Sequence, residues 1–340
     1  MVSISSILVT GGAGYVGSTL VNDLANCGYN VRTLDSKIFC PEKNNNFLKN
    51  KLIEFIHGDI RNNNLLASCL EGIDCVIHLA AVTGPLCDKA PKATIQTNEV
   101  ATKELVNLCK KKKIKRFFFA STCSNYGSNL KIVNEQTPLK PVSLYSETKV
   151  NSESLVLDSK SINFEPCILR FSTVFGISPE MRFDLLLQEL ILNAIIYKKI
   201  LIFGPDFWRP LIHVDDMADA CISVINAPSD LISGEIFNVG SDSENYTKKQ
   251  LAKIIQEFIQ DAEIEILKAK TDPRNYNVSF KKIKTTLNFT TKKSVEDSID
   301  EILKEVKSGN LNPRDFNFTN MSKLTEKIRP LNNYQFDENL

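Results

Sequence analysis

The sequence has few of the residues and segments that metal sites, membrane anchors and export signals require. Histidine occurs only three times in 340 residues, and none of the nine cysteines forms a Cys-x-x-Cys pair. This pattern disfavours zinc, and we expect no bound metal. No window holds about 18 uninterrupted apolar residues, so no transmembrane helix is predicted. No signal peptide is recognisable and the cysteines are odd in number and scattered, so we expect a cytoplasmic protein.

The sequence also lacks an excess of charge of either sign. Lysine and arginine total 41, and aspartate and glutamate total 40, which leaves a net charge of +1. Proteins that bind nucleic acid or a membrane surface are usually strongly basic, so we expect neither partner. With 43% apolar and 24% charged residues, the composition is that of a globular protein with a sizeable core.

What the sequence does contain is an alternation of short apolar runs and longer helical patterns. The β-rich runs are Ser6–Val9, Asn30–Leu34, Leu52–His57, Cys75–Leu79, Arg116–Ala120, Pro166–Phe171, Lys199–Phe203 and Glu235–Val239. The helical patterns are Val16–Cys27, Thr94–Lys111, Asp184–Tyr197, Asp215–Ile225, Lys248–Gln260 and Val295–Val306. Asp215 and Ser294 are the expected N-caps of two of these helices. The alternation predicts an α/β protein with a doubly wound parallel sheet.

A glycine cluster follows the first predicted strand. Gly11 permits a tight turn, Gly14 lets the backbone approach a pyrophosphate, and Gly17 lets the next helix pack close to the sheet. Asp35 ends the second strand, 18 residues after Gly17. A carboxylate there accepts hydrogen bonds from adenosine ribose hydroxyls and repels a 2′-phosphate. These features predict a Rossmann dinucleotide site that prefers NAD to NADP.

We expect two interleaved domains. Residues 1–175, with roughly 205–245, form the dinucleotide-binding domain, and residues 176–204 with 246–310 form a smaller α+β substrate domain. Residues 311–340 are polar and rich in asparagine, which predicts a C-terminal tail.

Several single residues give weaker signals. Asp59 and Ile60 follow the third strand, and two interpretations are equally favoured: a contact with the adenine ring, or an ordinary turn at a strand end. His78 lies within an apolar strand and His213 precedes a helix, so both are expected to be structural.

Tyr145 and Lys149 lie four residues apart, which places them on one face of a helix. An ammonium group beside a phenol is expected to lower the pKa of Tyr145, which then removes an alcohol proton while hydride leaves to the cofactor. The alternative is a solvated helix face, because this spacing is common. The hydroxyl residues Ser121 and Thr122 favour catalysis, since they follow an apolar strand whose carboxyl end lies at the ligand crevice.

Taken together, these motifs resemble the extended short-chain dehydrogenase/reductase family, in its NAD-dependent nucleotide-sugar epimerase/dehydratase branch. The similar segments occur in family order: Thr10–Gly17, Gly58–Ile60, His78–Ala81, Asn98, Ser121–Gly127, Tyr145 with Lys149, Arg209–Val214 and Phe237–Gly240.

The resemblance implies roles for individual residues. The catalytic residues would be Thr122, Tyr145 and Lys149. The cofactor would be NAD, held by Gly11, Gly14, Tyr15, Val16, Gly17, Asp35, Asp59, Ile60, Leu79, Ala80, Ala81, Asn98, Tyr145 and Lys149. A nucleotide-sugar substrate would contact Thr122, Thr173, Arg209 and Arg274. The resemblance also implies a homodimer formed by the helices near Asn98 and Tyr145.

Two departures from the family pattern narrow the function. The branch's 4,6-dehydratases carry an Asp-Glu pair after the catalytic threonine, where this chain has Cys123 and Ser124. Neither side chain suits general-acid elimination, so dehydration is disfavoured. Thr173 replaces the asparagine that usually contacts the substrate. We expect an epimerase that oxidises and re-reduces a sugar carbon, and C4 is the carbon we expect. The alternatives are a net dehydrogenase or reductase, and a non-catalytic NAD-binding protein.

Overall fold

The protein is described by a computed structural model that covers residues 4–38, 50–268 and 273–315. The predicted tail therefore lies outside the described residues from position 316 onward. Leu311, at its start, is buried against the C-terminal part of the fold. No helix in the described part of the chain is long and apolar enough to cross a membrane.

A parallel sheet forms the centre of the molecule and contains seven strands within the described residues. The strands are β1 (Ser6–Thr10), β2 (Asn30–Asp35), β3 (Ile53–His57), β4 (Cys75–His78), β5 (Arg116–Thr122), β7 (Glu165–Phe171) and β11 (Ile236–Val239). Their spatial order is β11-β7-β5-β4-β1-β2-β3. The order reverses next to β1, so a crevice opens there at the carboxyl ends of the strands. The predicted doubly wound sheet is confirmed.

Helices cover both faces of this sheet. They include α1 (Tyr15–Asn26), α2 (Asn63–Cys69), α3 (Leu86–Lys89), α4 (Pro91–Ile95), α5 (Ala101–Lys111), α6 (Leu144–Asp158), α8 (Val214–Asn226), α9 (Ser229–Ile232) and α11 (Lys281–Leu287). One face packs α1 and α8 against the sheet, and the other packs α2, α5 and α6. Covering on both faces explains why β4 and β7 are buried throughout.

The single helix predicted over Thr94–Lys111 is wrong in detail. A π-helical turn, Gln96–Val100, separates α4 from α5. The side chains of Thr97 and Asn98 both point inward from this wide turn and are buried. A local widening of this kind inserts one residue per turn and is frequent at functional sites.

A second core lies beside the sheet and is built from later parts of the chain. Its elements are β8 (Thr173–Phe175), α7 (Leu186–Tyr197), β9 (Lys199–Ile202), β10 (Trp208–His213), β12 (Asn245–Thr247), α10 (Lys248–Phe258), β13 (Glu263–Ile266) and α12 (Val295–Lys307). Here β10 pairs with β8 and β12, while β9 pairs with β13. A further pair joins β6 (Ser128–Val133) to β14 (Asn275–Val278). Where the two domains divide stays a prediction.

One predicted N-cap is confirmed and the other is wrong. Ser294 caps α12, because its side chain accepts a hydrogen bond from the Asp297 backbone N–H. Asp215 does not cap α8, which begins at Val214. Instead, the His213 ring accepts the Asp215 backbone N–H at 3.2 Å, so imidazole fills the role that carboxylates usually take.

Candidate active site

The glycine turn sits at the crevice where β1 runs into α1. Gly11 has a φ of +76°, and a Cβ there would lie 2.7 Å from the Ala80 backbone nitrogen. A Cβ on Gly17 would lie 2.1 Å from the Gly11 carbonyl oxygen, so the helix start can approach the turn only through glycine. Gly14 differs from both, because a Cβ there would meet only that same oxygen, at 3.4 Å. This position faces open space beside the free N–H groups of α1, where an anion is favoured.

Asp35 lies at the far end of a cavity that begins at this turn. One carboxylate oxygen accepts the Ala13 backbone N–H at 3.0 Å and the other accepts the Lys37 backbone N–H at 2.8 Å. Burial raises the pKa of Asp35, and these donors oppose the rise. Two oxygens held in place by backbone donors keep lone pairs for the hydroxyls of a ligand.

The same cavity includes most of the residues predicted to hold a cofactor. Its walls contain Gly11, Gly14, Tyr15, Val16, Gly17, Asp35, Asp59, Ile60, Leu79, Ala80 and Ala81. Asp59 forms a bidentate ion pair with Arg61, at 3.0 Å to Nε and 2.7 Å to Nη2. The pair holds the Asp59 carboxylate in the cavity wall. Whether that carboxylate contacts adenine stays a prediction.

Asn98 lies behind the wall rather than on it. Its amide nitrogen donates to the Val82 carbonyl at 3.0 Å and to Thr148 Oγ1 at 3.1 Å, and its oxygen accepts the Val82 N–H at 2.8 Å. Asn98 thereby ties the loop after β4 to helix α6. The geometry makes it a positioning residue, since it is 2% exposed and its polar atoms are engaged inside the protein.

Thr122, Tyr145 and Lys149 meet at a second cavity that adjoins the first. Thr122 ends β5, and its Oγ1 lies 2.9 Å from Ser124 Oγ. Tyr145 and Lys149 project from the first two turns of α6, which begins with the capping residue Ser143. The Lys149 ammonium donates to the Ala120 carbonyl at 2.8 Å and lies 5.9 Å from the centre of the Tyr145 ring. The predicted trio therefore shares one site.

Burial outweighs the lowering of the Tyr145 pKa that was expected from Lys149. Burial raises the pKa of Tyr145 well above its usual value, and the cations that oppose this rise are Arg182 and Arg274. Burial also lowers the pKa of Lys149 to about 8, against a smaller opposing effect of Glu153. Desolvation is the largest effect on the pKa of each group.

The second cavity has a volume of about 760 Å³, within the range of small-molecule sites. Its walls include the predicted substrate residues Thr122, Thr173, Arg209 and Arg274. Arg209 is 3% exposed, donates to the Trp208 carbonyl at 2.8 Å and also donates to the Arg274 carbonyl. The Arg209 guanidinium thereby lies against the backbone of Arg274, and both residues line the cavity, where arginines suit a diphosphate.

The cavity walls also contain charged and polar residues that the sequence motifs do not predict. Arg182 lines both cavities and pairs with Asp184 at 2.9 Å, while Glu180 and Thr97 line the first cavity and Lys248 the second. Glu180 and Arg182 belong to the loop after β8. Ser178 anchors that loop to α1, donating to the Tyr15 carbonyl at 2.5 Å and sharing a 3.0 Å hydrogen bond with Ser18. The one available signal was the position of this loop after a strand end at the crevice.

A buried ion pair lies between helix α6 and strand β5, which ends at Thr122. The Arg170 guanidinium donates to the Glu153 carboxylate at 2.6 Å, and Asn125 donates to the same carboxylate at 2.9 Å. Ser121 on β5 donates to it as well. Because Glu153 is on α6, the network joins the helix that carries Tyr145 to the strand that ends at Thr122.

The histidines behave as structural residues. His78 shares hydrogen bonds with Thr10 Oγ1 at 2.6 Å and Thr102 Oγ1 at 2.9 Å, and burial lowers its pKa to about 3. It is a satisfied, neutral core residue, as predicted.

The model of the NAD dependent epimerase/dehydratase family matches residues 7–240. This chain belongs to that family. Its members are NAD-dependent enzymes that act on nucleotide sugars, and the predicted resemblance is confirmed.

Relatives in the family carry out different reactions. The uncharacterized UDP-glucose epimerase YtcB of Bacillus subtilis (strain 168) is 32% identical over 309 residues, which cover 86% of this chain and 95% of that one. The dTDP-D-glucose 4,6-dehydratase of Dictyostelium discoideum is 31% identical over 275 residues, covering 74% and 62%. A solved structure of UDP-glucuronic acid 4-epimerase from Bacillus cereus, with UDP-glucuronic acid and NAD, aligns with a TM-score of 0.79 at 28% identity. That alignment covers 89% of this chain and 99% of that one.

The first cavity of this epimerase/dehydratase family member fits the NAD on which the family depends. Thr97 is 8% exposed and lines the cavity, yet its hydroxyl has no hydrogen-bond partner among the described residues. Gly14 leaves space beside the start of α1 for a pyrophosphate, and Asp35 offers acceptors to ribose hydroxyls. An orphaned buried hydroxyl is costly unless a ligand satisfies it.

Proposed function

We propose that this protein is an NAD-dependent epimerase that inverts a carbinol carbon, C4, of the hexose in a nucleoside diphosphate sugar. The observation that carries the proposal is the convergence of Thr122, Tyr145 and Lys149 on one wall of the 760 Å³ cavity that adjoins the cofactor cavity. We assign the catalytic roles to these three residues, NAD binding to the wall of the first cavity, and the diphosphate to Arg209 and Arg274.

The residues would divide the chemistry as follows. Tyr145 takes the proton of the sugar hydroxyl, and Thr122 holds the oxygen while the carbinol becomes a ketone. The Lys149 ammonium favours the phenolate form of Tyr145 that accepts this proton. NAD, when bound, would supply the hydride acceptor for this carbon and the hydride donor for its re-reduction on the opposite face. Tyr145 then gives its proton back to the oxygen, so protons and electrons balance and no cofactor is consumed.

Dehydration has no acid in the required place. Cys123 is 1% exposed, its thiol donates to the Arg170 carbonyl at 3.2 Å, and burial raises its pKa. The Ser124 hydroxyl lies 2.9 Å from Thr122 Oγ1 and is no proton donor at neutral pH. A cavity of this volume also leaves room for a keto sugar to turn over before re-reduction, which favours epimerisation over release.

We also propose the homodimer and the cytoplasmic location. The apolar side chains of Ile95 and Val100 are 41% and 39% exposed beside α5 and α6, and this exposed apolar surface supports a contact between two copies of the chain there. The eight cysteines of the described residues are all free, as expected in a reducing compartment. The division into a domain of residues 1–175 with 205–245 and one of 176–204 with 246–310 is part of the same proposal.

The test is an incubation with UDP-glucose, UDP-glucuronic acid, dTDP-glucose and GDP-mannose, with product stereochemistry read by NMR and NADH by absorbance. We expect one substrate to yield its C4 epimer without net NADH. NADH in proportion to product would identify a dehydrogenase instead, and a 4-keto-6-deoxy product would identify a dehydratase.

A pair of variants separates catalysis from folding. Tyr145→Phe should lose about 100-fold or more in turnover while still binding NAD. Tyr29→Phe is the matched control, because it removes a hydroxyl that bonds to Asn226 at 2.8 Å away from both cavities. Full turnover in Tyr145→Phe would refute the assignment of Tyr145 as the base, whereas unchanged cellular function without turnover would support the non-catalytic NAD-binding role.

A further inference from the structure

The wall of the cofactor cavity contains a buried acid that the family resemblance does not assign. Glu180 is 5% exposed and lines the cavity together with Asp35. Its backbone N–H lies 3.3 Å from Ser178 Oγ, which fixes the loop that carries it against α1. Among the described residues, the Glu180 carboxylate makes no hydrogen bond or salt bridge.

An unpaired buried carboxylate is expensive for the ligand-free protein. Burial raises the pKa of Glu180 to about 7, the nearby Asp35 adds to the rise, and Lys37 opposes it. A carboxylate with these properties in the wall of a cleft is typical of a binding position, because a ligand in the cavity can supply the donors that the protein does not.

The neighbours of Glu180 show which part of the cofactor it faces. Asp35 and Lys37 lie at the end of β2, the adenosine end of the cavity, whereas the pyrophosphate position lies at Gly14 and the start of α1. An unpaired carboxylate beside a pyrophosphate would be repelled. At the adenosine end the ribose presents two hydroxyl donors, which match the two carboxylates.

We propose that Glu180 is a second ribose acceptor and that the protein rejects NADP with two carboxylates, Asp35 from the end of β2 and Glu180 from the loop after β8. Each acid accepts a hydrogen bond from the adenosine ribose of NAD. A 2′-phosphate brings about two negative charges and no donor at neutral pH, so it meets repulsion from both sides of the cavity. Selectivity for NAD therefore survives the loss of Asp35 alone.

The experiment measures binding of ADP-ribose and its 2′-phosphate by calorimetry, on full-length protein freed of bound nucleotide. These probes lack the nicotinamide, so the result does not depend on which sugar reaction the enzyme catalyses. In Glu180→Gln we expect ADP-ribose to bind about tenfold more weakly and the 2′-phosphate to bind more tightly. Asp35→Asn should keep a preference for ADP-ribose, and only the double variant should lose it.

Two controls keep the proposal falsifiable. Asp23→Asn removes another half-buried carboxylate with a raised pKa, from the outer part of α1, and should leave the preference unchanged. Without nucleotide, Glu180→Gln should unfold at the same temperature as the wild type or higher, because it removes an unpaired acid. A preference within about twofold of the wild type in Glu180→Gln, or a lower unfolding temperature, overturns the proposal.

Discussion

Two glycines of the phosphate turn, Gly14 and Gly17, allow one substitution to be tested in two environments. Alanine adds the same single carbon at either position. At Gly17 the new Cβ would lie 2.1 Å from the Gly11 carbonyl oxygen and 2.6 Å from the Gly12 Cα, both backbone atoms that cannot rotate away. At Gly14 it would meet only the Gly11 oxygen, at 3.4 Å, which is ordinary contact. The two variants should therefore fail in different ways.

The magnitudes follow from these distances. Cβ atoms essentially never approach within 3.0 Å of a neighbour, so the start of α1 must retreat by at least 3.0 − 2.1 = 0.9 Å in Gly17→Ala. Overpacking of this kind costs about 1–3 kcal/mol, and the better helix propensity of alanine returns up to about 1 kcal/mol. The unfolding midpoint should fall by up to roughly 4 °C, because about 1 kcal/mol corresponds to roughly 1.4 °C in a chain of 340 residues. Gly14 has ordinary extended backbone, so alanine there should lower the free energy of unfolding by only about 0.5 kcal/mol.

Binding gives the opposite order of effects. In Gly14→Ala the added carbon enters the space where the pyrophosphate approaches, so NAD affinity should fall by about 100-fold in calorimetry while the thermal melt stays close to wild type. Wild-type NAD affinity in Gly14→Ala would refute the placement of the pyrophosphate. An unchanged melting temperature in Gly17→Ala would refute the steric account of the turn.

Three further substitutions test the rest of the site. Lys149→Met removes a buried ammonium group. Burial lowers the pKa of Lys149 from 10.5 to about 8, so between these pH values the unfolded chain binds a proton that the folded protein does not, and the wild type gains stability as the pH rises. Melts across pH should show Lys149→Met lacking that gain and more stable than wild type at pH 7; a less stable variant would contradict this. Glu153→Gln leaves Arg170 a buried unpaired cation and should cost about 3–5 kcal/mol in urea unfolding, whereas a loss below about 1 kcal/mol would show that the pair is dispensable. Asn98→Ala releases Val82 from the cavity wall and should weaken NAD binding about tenfold; unchanged NAD binding would remove its positioning role.

The central sheet was predictable because its signals are local. A strand buried on both faces is apolar throughout, as in Cys75–His78, and a strand that runs into glycines and then a helix is a recognisable turn. The helix ends were less so. Propensity assigns the N-cap of α8 to Asp215, but the helix begins one residue earlier and the His213 ring accepts the Asp215 backbone N–H, which only the geometry of β10 shows.

The site residues were likewise predictable where the signal is local and not where it depends on distant contacts. Tyr145 and Lys149 were found because one helix turn brings them together, whatever the rest of the fold does. Glu180 and Arg182 reach the cavities only because Ser178 fastens their loop to α1, a contact between residues about 160 positions apart, as 178 − 18 = 160 shows for Ser18. The effect of burial on the pKa of Tyr145 could not be predicted for a related reason, since desolvation depends on every element that covers the ring.

The wide turn at Gln96–Val100 has a consequence for the spacing of buried residues along its helix. Buried positions recur every four residues in two rows: Ala93, Thr97, Ala101, Leu105 and Cys109, and Thr94, Asn98, Thr102 and Val106. In a regular α-helix a four-residue repeat drifts by about 40° at each step, which would carry the row to the opposite side within the length of this segment. One extra residue in the wide turn resets the phase by about 100° and keeps both rows facing the sheet. Deleting any single residue between 96 and 100 would therefore rotate one part of the segment relative to the other. Either the buried residues of α5 or the pair Thr97 and Asn98 would then turn away from their partners, so the packing of α5 and the cavity wall depend on the same wide turn.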